Sequence, residues 1–101
     1  MQCKVSGRHV DVTPAIHEYA QKKAAKLLRY FDRISEINVV IDRIDHNFEV
    51  EMIANVEHSD PIIAKKLGDD LYAVIDGVVD VMERQLTDHK EKRRNRKHNV
   101  T

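Results

Sequence analysis

The chain has 101 residues, enough for one domain with a modest core and too few for two. Its 42% apolar and 34% charged composition describes a soluble globular protein with a charged exterior. No apolar run approaches the roughly 20 residues that cross a bilayer and the N-terminus lacks a signal-peptide apolar region, so the expected location is the cytosol. The net charge of 0 conceals segregation: Lys/Arg outnumber Asp/Glu six to two in residues 1–31 and seven to two in residues 84–101, and are outnumbered two to eight and two to five in residues 32–60 and 61–83.

Gln2 to Ser6 alternates with β-branched and small residues and reads as a short strand, with Gly7 marking a bend before Val10 and Val12. The single cysteine, Cys3, falls inside this strand, cannot form an internal disulfide and reads as a small buried hydrophobe. Thr13-Pro14 is a helix start, because threonine caps free N–H groups and proline has none to leave unbonded at the first helical position. Ile16, Tyr19, Ala20, Ala24, Leu27 and Phe31 recur at helical spacing, placing a first helix at about Pro14 to Tyr30. Nearly opposite that apolar face, Lys22, Lys26, Arg29 and Arg33 form a cationic row with no intervening acid, and Lys23 lies on its flank.

Glu36 to Ile44 and Phe48 to Val56 alternate across the turn Asp45-His46-Asn47 and read as a β-hairpin. Glu57 to Pro61 makes a second turn, and Ile62 to Lys66 a third consecutive strand. A final helix starts at Gly68 or Asp69 and runs to Arg94, with Asp69 and Asp70 complementing the positive end of its dipole. At about 100 degrees per residue, Leu71, Val74, Ile75, Val78, Met82, Gln85 and Leu86 share one core-facing line. Beyond Leu86 the line meets His89, Lys92 and Arg93, so this helix is expected to outrun its core and present a cationic surface. Gly77, inside the helix and off the core line, is expected to mark a close helix approach. The segment from residue 95 to 101 has no periodicity and is expected to be a short, basic, disordered tail, which leaves residues 1–94 as a single domain.

The predicted fold is therefore α+β, in the order β-α-β-β-β-α. A right-handed crossover followed by two hairpins gives a four-stranded mixed sheet with both helices packed on one face. Glu49, Glu51 and Glu57 would then occupy the open sheet face, separating charge by layer into an acidic sheet and basic helices.

The sequence holds no glycine-rich phosphate loop, no GxSxG and no metal-ligand spacing among its six dispersed histidines. Neither an enzyme nor a metal or other cofactor is expected. The chemistry that remains is cationic: Lys22, Lys23, Lys26 and Arg29 on the first helix, and Arg84, His89, Lys90, Lys92, Arg93 and Arg94 on the second. Such groups neutralise phosphates. Aromatic residues are few and most fall on core lines, which favours backbone and shape recognition of folded RNA over base stacking.

The element order and the segments VDVTPAIHEYAQKKAAKLLRYFDRI and DLYAVIDGVVDVMERQLTDHKEK resemble the ribosome hibernation-promoting factor family, also called ribosome-associated inhibitor or sigma-54 modulation protein. The resemblance runs from Met1 to about Lys92. It implies a fold like the double-stranded RNA-binding domain with an added first strand. It also implies a translation inhibitor that binds the small ribosomal subunit between head and body, in the mRNA path and the A- and P-site tRNA positions, during stationary phase or stress. The family's basic positions fall on Lys23, Lys26, Arg29, Arg84, Lys90 and Lys92. Val81 and Asp88 stand where relatives often carry lysine, and Asp88 is expected to pair with Arg84 or Lys92. The short basic tail resembles the short hibernation-promoting type, which acts with ribosome modulation factor to favour ribosome dimers and is expected to be monomeric when free. A rival reading, prompted by the older family name, is a protein-interaction module that modulates a transcription factor.

Overall fold

In the computed structural model, which describes the backbone of residues 2–99 and the side chains of residues 2–91, the elements follow the order β-α-β-β-β-α. Strand β1 (Gln2–Arg8) and helix α1 (Pro14–Tyr30) precede β2 (Ile34–Ile44), β3 (Asn47–Val56) and β4 (Ile62–Gly68), and helix α2 (Leu71–Asn99) follows. The sheet order is β1-β2-β3-β4, with β1 parallel to β2 and the remaining pairs antiparallel. This is the mixed sheet expected from the pattern. The helix α1 lies over β1 and β2, and α2 over β3 and β4.

Local chemistry accounts for the boundaries. The Thr13 hydroxyl accepts from the Ile16 N–H at 3.2 Å, with Pro14 at the first helical position. The Asp70 carboxylate accepts from the N–H groups of Tyr72 and Ala73, so α2 starts at Leu71, later than the expected Gly68 or Asp69. In the β2–β3 hairpin Ile44 faces Asn47 across a two-residue turn, and Asp45 takes the left-handed conformation that short polar side chains tolerate (φ 55). Gly7 is required by a close approach: a Cβ there would run into the Val10 carbonyl oxygen. At the end of β1, the His9 ring and the Arg43 N–H both bond Asp42 and hold its carboxyl below the usual range, His9 being the larger cause.

The core lies between the sheet and the helices. Alternate residues of β2 and β3, such as Ile37, Val39, Ile41, Val50 and Met52, are fully buried against Ala20, Ala24 and Leu27 of α1 and Ile75, Val78 and Met82 of α2. The α2 core line ends at Leu86, as its periodicity requires. Gln85, which shares that line, donates to the Ile63 carbonyl of edge strand β4 (3.1 Å), and Gln21 donates to the Cys3 carbonyl of the other edge strand, β1 (3.3 Å). Each helix thus caps an outward carbonyl of the edge it covers, which blunts both edges against further strand pairing.

Three expectations need correction here. The helix continues to Asn99, so the break expected after Arg94 is absent; the sequence Asn-Arg-Lys-His-Asn of residues 95–99 contains no proline or glycine to end it. Val100 and Thr101 of the expected tail lie outside the described residues. Gly77 makes room for the aliphatic stem of Lys66 on β4, whose Cε would be 3.1 Å from an added Cβ, and not for another helix. The open sheet face is not uniformly acidic. Glu36 pairs with Lys4 (3.3 Å) and Glu51 with Lys65 (3.7 Å), the exposed Ile63 and Leu67 share that face, and Glu57 sits beyond β3 in a turn.

The two glycines make opposite predictions in thermal unfolding. Gly77→Ala should raise Tm, because the flexible Lys66 stem can yield and alanine is favoured in a helix interior by about 0.5–1 kcal/mol. Gly7→Ala should lower Tm strongly, because a backbone oxygen cannot yield.

Candidate nucleic-acid interface

The two helices meet at a polar junction that no single-helix pattern displays. The Tyr19 hydroxyl donates to Asp76 Oδ1 at 2.6 Å, and Lys23 Nζ lies 3.4 Å from the same oxygen. The Lys23 ammonium also sits 5.5 Å from the centre of the Tyr19 ring, which packs edge-on against Tyr72 with centroids 4.9 Å apart. The hydrogen bond to Asp76 raises the pKa of Tyr19, and the Asp76 charge raises that of Lys23. Both groups are protonated at neutral pH, and the upward shifts extend the paired form further into the alkaline range.

From this junction a groove of about 270 Å³ runs between the helices, floored by Leu27 and Val79 and lined by Lys23, Lys26 and Tyr30 of α1 and Asp76, Asp80 and Glu83 of α2. Tyr19 meets Asp76 and Tyr72 near the start of α2, and Tyr30 meets the groove that Glu83 closes. The helices therefore run in the same direction, and α2 continues past the end of α1.

The predicted cations fall into distinct groups. Lys22, Lys26 and Arg29 are exposed on α1, and among the described residues none has a carboxylate within 4.0 Å. Arg33, expected to extend this row, lies beyond the end of α1 in the turn before β2, where its carbonyl accepts from the Glu57 N–H (2.9 Å). Lys23 is turned away from the row toward Asp76. On α2, helical periodicity places Arg84 on the same side as Gly77, and Lys90 on the opposite side with Asp76 and Glu83. His89 is half-buried, and its Nε2 is enclosed with no hydrogen-bond partner among the described residues, so that atom cannot reach RNA. The side chains of Lys92, Arg93 and Arg94 lie outside the described residues, although their backbone is helical. Asp88 makes no ion pair with Arg84 among the described residues.

The helix layer is thus not uniformly basic: among the described residues one cationic track follows the outer face of α1, Arg84 marks the far flank of α2, and the carboxylates of Asp76, Asp80 and Glu83 lie between them. Sequence reasoning missed Lys66, whose stem crosses Gly77 and brings a further cation to the Arg84 flank. The available signal was a lysine on a short edge strand beside a helix containing a glycine. It also missed the carboxylate seam, because Asp76 and Glu83 recur at seven residues and read individually as solvated helix acids.

Comparison with known proteins agrees with this architecture. The family model described as sigma 54 modulation protein / S30EA ribosomal protein matches residues 3–94. The chain is 39% identical over 94 residues to the ribosome hibernation promoting factor of Escherichia coli (strain K12), covering 91% of this chain and 96% of that protein. It is 36% identical over 101 residues to the ribosome hibernation promoting factor of Azotobacter vinelandii, covering 91% and 85%. A ribosomal subunit interface protein from Coxiella burnetii superposes with a TM-score of 0.84 at 27% identity, over 90% of this chain and 99% of that one. The N-terminal domain of Thermus thermophilus Protein Y superposes with a TM-score of 0.77 at 31% identity, over 85% and 94%.

Asp76→Asn should remove the charge that holds both Lys23 and Tyr19. In a spectrophotometric titration of the three tyrosines, the late-titrating phenol should move down toward its ordinary value of 10.0, and Tm at neutral pH should fall by a few degrees. In the parent protein the stability linked to the raised Tyr19 pKa is fully present below that ordinary value and is lost as pH rises through the folded one.

Proposed function

The chain belongs to the sigma 54 modulation protein / S30EA ribosomal protein family, and on that premise we propose that it is a ribosome-binding translation inhibitor acting by steric occlusion. Its helix layer docks on ribosomal RNA of the small subunit, in the channel that mRNA and tRNA use, and the bound subunit is held inactive in stationary phase or stress. The protein acts in the cytoplasm as a monomer when free. It works beside ribosome modulation factor to favour ribosome dimers, and bond-making chemistry has no part in its action.

The observation that carries this reading is the exposed row Lys22, Lys26 and Arg29 on α1, without an ion pair among the described residues, parallel to an α2 that projects past it. Three cations on one helix face suit a phosphate backbone. Helix α2, 29 residues and about 43 Å long, carries that reach past the end of its core line at Leu86. Recognition of this kind depends on the fixed positions of phosphates in folded RNA, because the one exposed tyrosine of α1, Tyr30, lies on the groove side and not in the Lys22, Lys26 and Arg29 row.

Co-sedimentation with purified small subunits tests the proposal. Binding at low salt should fall steeply between 50 and 200 mM. Charge reversal at Lys26, Arg29 or Lys92 should each flatten the plot of log K against log salt by roughly one unit. Absence of binding at low salt contradicts the proposal, and binding indifferent to all three reversals favours the transcription-factor module instead.

A further inference from the structure

The carboxylates between the two cationic tracks have no part in phosphate binding, yet they occupy the middle of the helix layer. Asp76 is paired with Lys23, whereas Asp80 and Glu83 have no cation within 4.0 Å among the described residues. Both are exposed on α2 and line the groove opposite Lys23, Lys26 and Tyr30. Taken alone, that α1 wall has the components of an indiscriminate single-strand site: the Lys26 ammonium for a phosphate, beside the Asp76-bound Lys23, and a tyrosine 66% exposed for a base to stack on. Any unstructured RNA could be held there.

We infer that Asp80 and Glu83 are specificity-determining residues that exclude nucleic acid from the groove between the helices. The inference rests on the proposed RNA-binding role and deepens it. A phosphate drawn to Lys26 from the groove side meets two uncompensated negative charges within a Debye length, so entry is repelled. Phosphates that approach the outer face of α1 or the α2 overhang lie farther from them. Folded RNA whose phosphates stand at fixed positions matches those outer tracks, whereas a flexible strand loses its easiest foothold. Discrimination of this kind works by penalising the wrong partner.

The test compares the full chain with an Asp80→Asn/Glu83→Gln double variant, using poly(U) and purified small subunits at one low salt concentration. Loss of each carboxylate should raise poly(U) affinity about threefold, and roughly tenfold together, while small-subunit affinity changes less than twofold. A Glu57→Gln/Asp60→Asn variant makes the same change in net charge at exposed positions in the turn after β3, and should leave the ratio of the two affinities near that of the parent. Adding Tyr30→Ala to the groove double variant should reverse part of its gain on poly(U). Unchanged poly(U) affinity in the groove variant, an equal gain in the turn variant, or a loss of small-subunit binding in the groove variant overturns the inference. If the parent fails to bind small subunits, the proposed function fails, while the poly(U) comparison still decides whether the groove excludes nucleic acid.

Discussion

The disposition of charge in this protein depends on the Asp76 carboxylate. Apolar packing brings α1 and α2 onto one face of the sheet, but alanine-rich and valine-rich surfaces specify rotation weakly. A carboxylate that takes the Tyr19 hydroxyl at 2.6 Å and the Lys23 ammonium at 3.4 Å is directional, and it joins residues 57 apart in sequence. The buried Ala20, Ala24 and Leu27 already turn Lys22, Lys26 and Arg29 of α1 outward, and the Asp76 contact sets α2 so that Asp80 and Glu83 line the groove beside it. The same contact withdraws Lys23 from the outer row.

The sheet is the platform for this arrangement. Its edges are capped by Gln21 and Gln85, one from each helix, so the helices that carry the cations also protect the strands beneath them. On its open face, acidic side chains are matched with Lys4 and Lys65. What distinguishes the two sides of the molecule is therefore pairing more than net charge. Lys4 and Lys65 on the open sheet face have carboxylate partners, and among the described residues Lys22, Lys26 and Arg29 on the outer face of α1 do not.

The element order was legible because each period is unambiguous: two-residue alternation through Ile37 to Ile41 and Val50 to Val56, and helical spacing from Ile16 to Leu27 and from Leu71 to Leu86. The end of the α2 core at Leu86 was legible for the same reason. Contacts between elements were not. Helical angles place Lys23 between the core line and the cationic row, but only the rotation of α2 decides that Asp76 meets it. Gly77 signalled a close approach, yet its partner proved to be a lysine stem on β4. His89 continues the core line, and that position, more than its reading as cationic surface, accounts for its enclosed Nε2. Lys26 and Arg29 sit where the sequence placed them, exposed on the outer helix face, because an unpaired cation far from any core line has nothing to redirect it.

The central claim is that the helix layer, with α1 outward and α2 overhanging, faces ribosomal RNA while the sheet faces away. A structure of the protein bound to the small subunit tests it most directly. The account predicts phosphates within hydrogen-bond distance of Lys22, Lys26, Arg29 and Lys90, with no phosphate inside the groove between Lys26 and Glu83. RNA lying against Lys4, Lys65 and the open sheet face, with the α1 row in solvent, would contradict it.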